Sequence, residues 1–599
     1  MRPSATSRAL GPEEREQAKT IARATFDGFL QSDLMPSGMQ APAIIWAAAF
    51  MMMPSVFIAA QSLAKYPLIR RFHPEMLEPT LWNDRVLFII LSGGAIGLVS
   101  VVLWDTLFPA RRDAFVLTPL PVRVPVQMAG RLLGLAALIL VFVVLVNSLP
   151  VLTFPIVSAG TAYEMPIFMI GHLMAAAAAD AFVFFSVTAL QGAVILALGR
   201  GAAAKLAPIA QTGAVVFVLL ALMLVGAIRD VTRDALVRNA AADPALLLNP
   251  VAWFLGLFEY ITGSSRDVMR VLAGRAVLAA LVPMGITVAI YAFGYKRLLA
   301  RAVETPARST RSFPIRAASA ALRRLFVRRP QEQAICAFAL RAIARSSRHN
   351  MLTSIYIGTA LALMITFVLP DVLRSGAGAF AVPTFSVLAL PLVLSVGLAV
   401  GARILITIPA ELGARWIFMT SSITPRQVDA ATHKALLIFV LPPGIATAAL
   451  TAGPLWGWNV AALHIAYCTS LAVLLCQVLL LKYRGLPMTR PYIPGASRFH
   501  TLWGLYMIIF LTYTLTSARL ERDLLKYGGA QGVLTAASVF AGLALAVWIY
   551  RKIQVRRGVE VPFEAEIPDD TMFQGFNLSE IHAAQMVASR PNGTPSRHV

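Results

Sequence analysis

Leu132-Leu-Gly-Leu-Ala-Ala-Leu-Ile-Leu-Val-Phe-Val-Val-Leu-Val146 carries no charge along its whole length. Such a run reads as a helix crossing a bilayer, because roughly 20 apolar residues at 1.5 Å each cover the hydrocarbon core. Comparable runs begin near Pro42, Val86, Pro166, Ala207, Ala276, Met351, Val382, Ala435, Val460, Leu502 and Leu534. The run from Pro166 to Gly199 is long enough to be tilted or broken. The expected fold is an all-α polytopic membrane protein of about 12 transmembrane helices.

Composition agrees. Of 599 residues, 58% are hydrophobic and 14% charged, and the mean hydropathy is +0.70. A soluble domain carries about 25% charged residues, so a soluble core is excluded. The first 41 residues hold no apolar stretch of signal-peptide type, and no cleaved leader is expected. Three cysteines, Cys336, Cys468 and Cys476, make no disulfide framework. Cys468 and Cys476, inside one apolar run, read as small core residues.

A net charge of +22 would suit nucleic acid, but in a membrane protein it reports topology. With the N-terminus inside, 37 Lys and Arg fall on the cytosolic side and 14 on the other, Arg403 lying within a run. That predicts both termini in the cytosol, and no nucleic-acid partner. Arg403, near the cytosolic end of its run, is expected to snorkel.

Spans one to three recur about 300 residues later with the same direction of insertion. This predicts two parallel six-helix repeats. The expected organisation is a cytosolic N-tail with an interfacial helix (1–41), a first membrane half (42–297), a basic cytosolic linker (298–350), a second half (351–550) and a C-tail (551–599). Lys296–His349 carries 13 basic residues and reads as a linker lying on anionic headgroups. Its end, Phe338-Ala-Leu-Arg-Ala-Ile-Ala-Arg345, has helical amphipathic spacing and should lie along the interface before span seven, with Ala18–Phe29 as its counterpart before span one. The C-tail turns acidic at Glu564, Glu566, Asp569 and Asp570 and reads as disordered.

One loop pattern appears twice. Asp113-Ala-Phe-Val-Leu-Thr-Pro-Leu-Pro-Val-Arg123 precedes the third run, and Trp416-Ile-Phe-Met-Thr-Ser-Ser-Ile-Thr-Pro-Arg426 precedes the ninth. Each reads as a short amphipathic helix, a bend forced by proline, and a span capped by a hydroxyl residue followed by proline.

No catalytic constellation is present. There is no P-loop, no H-E-x-x-H and no G-x-S-x-G, so neither nucleotide chemistry nor metal ligation is expected on this chain. Ionisable and amide groups inside apolar runs are possible transport-path residues: His172, Asp180, His464 and Gln477. His172 and Asp180 are spaced so that they lie roughly 80° apart around a helix. Ala175–Ala179 between them suits close helix packing. In the long outer loop, Asn249-Pro-Val-Ala-Trp-Phe-Leu-Gly-Leu-Phe-Glu-Tyr-Ile-Thr-Gly263 reads either as a segment dipping into the outer leaflet or as a surface helix anchored by Trp253 and Tyr260.

Residues 105–131, with Arg111-Arg-Asp-Ala-Phe-Val-Leu-Thr-Pro-Leu-Pro-Val-Arg123, resemble the loop after span two of type-two ABC transporter permeases. The six-span unit, the N-terminal interfacial helix and the loop between spans five and six are similar to that family too. Phe338–His349 and Arg484-Gly-Leu-Pro-Met-Thr-Arg-Pro-Tyr-Ile-Pro-Gly495 resemble fused, double-length bacterial members. The resemblance implies an exporter-type subunit in the bacterial cytoplasmic membrane, with membrane lipids around it and a separate cytosolic ATPase as partner. The chain itself would need no cofactor, ATP being held by that partner. It further implies docking through Asp113, Thr118, Pro119, Pro121 and Arg123 in the first loop, and Ser421, Thr424, Pro425 and Arg426 in the second. The second loop departs from the pattern, with Ser421-Ser422-Ile423 where the first has Pro119-Leu-Pro121.

Two other classes compete. A secondary transporter of the major facilitator type also has six plus six spans, but Arg111-Arg112-Asp113 lacks the glycines of its usual loop motif. A membrane-embedded enzyme on lipid-linked substrates would need clustered acidic residues at the membrane face, and the loops hold isolated ones.

Overall fold

The computed structural model describes residues 11–30, 40–104, 107–109, 111–159, 161–226, 228, 230, 244–264, 266–303, 327–408, 410, 423–481, 483, 485–489, 508, 510 and 512–556. Among them every regular element is helical. Ten helices are long and apolar enough to cross a membrane. The protein is therefore a helical polytopic membrane protein.

The first part of the chain holds α1 (Pro12–Leu30), α2 (Gln40–Phe72), α3 (Leu77–Val102), the short α4 (Arg111–Leu117), α5 (Val124–Ser158), α6 (Met165–Leu198), α7 (Arg200–Met223), α8 (Pro250–Ile261) and α9 (Asp267–Val303). Then come α10 (Pro330–Arg345), α11 (Ser347–Ser375), α12 (Phe385–Leu405), α13 (Pro425–Trp456), α14 (Trp458–Leu479), α15 (Ser517–Asp523) and α16 (Gly529–Arg556). The 33-residue α2 lies where the first apolar run was expected, in addition to those ten. The run expected near Leu502 falls largely outside the described residues. Its described end is cut from α16 by Gly529, whose φ of 56° lies in the left-handed region that ends a helix.

The ten long apolar helices carry few charges on any face, which in water would be a fault and in lipid is required. Leu140 is 62% and Phe293 91% exposed, on the outside of the bundle. The burial gradient orders the helices. In α12, 83% of the apolar window is buried, against 17% in α9, so α12 is an inner helix and α9 a peripheral one.

Neighbours repeat along the chain. The amphipathic α1 packs on α5, and α10 packs on α13. Likewise α3 meets α6 and α12 meets α14; α5 meets α6 and α13 meets α14; α6 meets α9 and α14 meets α16. The α1–α5 seam is close because of Gly130: a Cβ there would stand 2.7 Å from the Ala18 carbonyl oxygen. The two parts meet where α7 packs against α11, and Ser354 Oγ donates to the Pro208 carbonyl at 3.1 Å. α13 contains the adjacent pair Pro442-Pro443 in its interior.

Most of the basic linker, residues 304–326, lies outside the described residues, as does the acidic C-tail. The described end of the linker is α10, tied to α13 by Lys434 Nζ and Glu332 Oε2 at 2.5 Å. Arg403 is half-buried in the last turn of α12. Its Nε donates to the Leu479 carbonyl at 2.9 Å, and its guanidinium lies 4.8 Å from the Tyr483 ring centroid.

Candidate functional site

The loop between α3 and α5 is built from the inside out. Asp113 on α4 pairs with Arg131 on α5 at 2.6 Å, and the Arg131 side chain is only 8% exposed. Gln127 Nε2 donates to the carbonyls of Leu117 (3.3 Å) and Val122 (3.0 Å), holding both ends of the bend. Arg123 Nη1 reaches Glu14 of α1 at 2.8 Å. Asp113 is thus a clasp inside the loop, while Thr118, Pro119, Pro121 and Arg123 are exposed. What the fold presents outward is apolar: Phe115 is 57%, Val116 53% and Leu120 46% exposed. Beside this tip an open groove of about 700 Å³ runs between α1 and the loop, lined by Pro12, Glu13, Glu16, Thr20, Leu117 and Leu120 among others.

The expected hydroxyl cap is absent here. α5 starts at Val124 with Arg123 as its N-cap and no side-chain hydrogen bond there, because Thr118 is too far upstream; Pro125 fixes the first turn instead. The second loop has the cap. Thr424 Oγ1 accepts from Gln427 N at 3.4 Å and Gln427 Oε1 accepts from Thr424 N at 2.9 Å, a reciprocal box with Pro425 at the first turn. Thr424 and Arg426 are exposed, Pro425 half-buried, and Ser421 lies outside the described residues. The stretch leading to this loop is fixed from elsewhere: Met488 N donates to the Ile406 carbonyl at 2.8 Å and the Met488 carbonyl accepts from Ala410 N at 3.0 Å.

The four intramembrane candidates fall into separate groups. Asp180, fully buried, accepts from Ser92 Oγ (2.8 Å) and from Asn147 Nδ2 (2.9 Å), so α3, α5 and α6 share one polar knot. His172 is not part of it. It lies between Phe88 and Phe154, with ring centroids at 5.2 and 5.8 Å, and its Nε2 has no hydrogen-bond partner among the described residues. His464 Nδ1 is 2.7 Å from Glu521 Oε1, with Cys468 Sγ 3.5 Å from the same nitrogen. Gln477 Oε1 accepts from Arg551 Nη1 at 2.6 Å, and Arg551 also bonds Asp429, clasping α13, α14 and α16. The partners Ser92, Asn147, Cys468, Glu521, Arg551 and Asp429 were not singled out as site residues from sequence. Asn147 and Cys468 lie within apolar runs and were open to notice; Glu521 and Arg551 read as loop and tail.

The aromatic outer segment forms α8, N-capped by Asn249, whose Oδ1 accepts from Val251 N at 3.1 Å. It packs on α3, α6 and α9 and buries Phe254, Leu255, Leu257 and Phe258. Trp253 bonds the Leu247 carbonyl at 3.1 Å, and Tyr260 is 49% exposed. Arg85 pairs with Glu259 at 2.5 Å and sits 4.7 Å from the Phe258 ring centroid, at the wall of a cavity of about 510 Å³. No protein family, curated protein or solved structure matches this chain.

Proposed function

We propose that the chain is the membrane-spanning permease subunit of an ABC-type exporter, moved by a separate cytosolic ATPase that docks on the loops before α5 and α13. The observation that carries the reading is the apolar tip Phe115–Val116–Leu120, held outward by the Asp113–Arg131 clasp and set beside the α1 groove. An exposed apolar patch on a rigid base is the kind of surface that a partner covers. The missing P-loop means that any nucleotide hydrolysis must come from that partner. The matched neighbours, α1 on α5 and α10 on α13 among them, support a reading of two parallel halves with six spans each. On this reading the chain lies in a bacterial cytoplasmic membrane with both termini inside, and a push on α4 and on the capped start of α13 rocks the halves. No catalytic residue or cofactor is assigned to the chain itself.

The test is purification of the tagged chain from its native membrane in mild detergent, with mass spectrometry and an ATPase assay on what accompanies it. A P-loop ATPase that is retained by the wild type and lost from Phe115→Asp with Leu120→Asp, with span folding unchanged, is the expected outcome. A second reading, a secondary transporter, draws on the buried carboxylate of Asp180. Proton-driven uptake by the chain alone in liposomes, with no ATPase partner, would establish that reading and remove the first.

A further inference from the structure

We propose that His464, Cys468 and Glu521 form a binding site for a divalent transition-metal ion, zinc(II) by preference, between α14 and α15. His464 and Cys468 are one helical turn apart and so share a face of α14. Glu521 reaches them from α15, and the three donor atoms lie within 4.8 Å of one another. One of the three donor spacings, sulfur to nitrogen, already matches a tetrahedral site. With Zn–S near 2.3 Å and Zn–N near 2.0 Å, a sulfur and a nitrogen on one ion stand about 3.6 Å apart. Cys468 Sγ and His464 Nδ1 stand at 3.5 Å, and Sγ is also 3.9 Å from Nε2, so the imidazole would have to turn to aim Nδ1 at a shared ion. The Nδ1···Oε1 separation of 2.7 Å would open to about 3.3 Å on metal binding, a small side-chain rotation.

Two further observations separate this from an ordinary buried His–Glu hydrogen bond. Glu521 Oε2 is buried and has no hydrogen-bond partner among the described residues, which a polar atom at such a position seldom tolerates. All three side chains are shielded, His464 and Glu521 at 0% exposure and Cys468 at 6%. A thiolate and a carboxylate carry two negative charges, and one divalent ion cancels them, leaving a neutral group in an apolar setting. Binding needs the Cys468 thiolate and a bare His464 Nδ1, so it releases protons, and nothing is oxidised. The donor set also selects: thiolate and imidazole disfavour magnesium and calcium, and the carboxylate disfavours copper(I). Three protein donors leave a fourth position for water.

The site is independent of what drives the chain. The experiment uses the full-length protein in detergent with Cys336→Ala and Cys476→Ala, which leaves Cys468 as its one thiol. Titration with cobalt(II) should give one ion per chain, a thiolate-to-cobalt charge-transfer band in the near ultraviolet, and loss of that band on adding zinc(II). Calorimetry in buffers of different ionisation enthalpy should report proton release on binding, and less of it in Cys468→Ser. Cys468→Ser should abolish the band. Glu521→Gln keeps a hydrogen bond to His464 but should weaken cobalt binding by more than the roughly 10–100-fold that loss of an outer partner costs. If the double-alanine protein does not fold, the wild type compared with Cys468→Ser gives the same readout. Absence of the band in folded protein, or equal affinity in Glu521→Gln, overturns the proposal.

Discussion

Asp180 and Ser92 face each other across α3 and α6 with the serine Oγ 2.8 Å from one carboxylate oxygen and 2.9 Å from the other. Ser92 has one hydrogen to give, so the second firm donor is Asn147, which also donates to the Val143 carbonyl at 3.0 Å. Asn147 Oδ1, 3.0 Å from Ser92 Oγ, competes with the carboxylate for that hydrogen, so the knot is fully enclosed and each member depends on the others.

That dependence sets a first expectation. Asp180→Ala strands Ser92 and Asn147 and should destabilise the protein by about 1–3 kcal/mol, whereas Asp180→Asn, which keeps an acceptor in place, should cost less. Thermal unfolding in detergent compares the two; equal losses would mean that the hydrogen bonds contribute nothing.

The two ion pairs of the first loop should behave differently. Arg131 is buried, so Asp113→Ala deprives an enclosed guanidinium of a carboxylate and should cost about 3 kcal/mol or more. The Arg123 side chain is 67% exposed, and Arg123→Ala should cost no more than about 1 kcal/mol. Denaturation midpoints measure both, and faster protease cleavage in 118–123 should accompany only the first.

Gly130→Leu forces a side chain into the Ala18 backbone. The expected result is release of α1 from α5 with the spans still inserted. A cysteine placed at Ala18, 2% exposed in the native fold, should then react with a water-soluble maleimide; unchanged protection would refute the close seam.

Thr424→Ala removes one half of the capping box and should cost about 1 kcal/mol. Thr424→Ser retains the acceptor and should recover most of it. Thr118→Ala, outside any cap, should be near neutral by the same unfolding measurement.

The spans were legible because hydropathy over a bilayer's thickness depends on composition, which sequence states directly. The short α4 and the bend after it were legible for a similar reason, since prolines act locally, whereas the cap expected at Thr118 was not formed because α5 starts only at Val124. The site was less so. Asp180 and His464 could be picked out as polar groups in apolar runs, yet their partners come from other helices; Glu521 is 57 residues from His464 and stands in what reads as an outer turn. The inward role of Asp113 was hidden likewise, because an acid beside two arginines reads as surface until Arg131 is seen folded beneath it.

Pro442 and Pro443 have no amide hydrogen, so the carbonyls of Ile438 and Phe439 lack their usual partners along α13. Replacing both prolines by alanine should slow hydrogen exchange in this stretch; unaltered exchange would show the helix already stiff. α13 is one continuous helix from Pro425 to Trp456, and the gap in its hydrogen-bond ladder marks where it should bend most readily. The Thr424 cap stands on one side of that point and Trp456 on the other, so a push on the capped end is expected to reach Trp456 as tilt, not as a piston stroke.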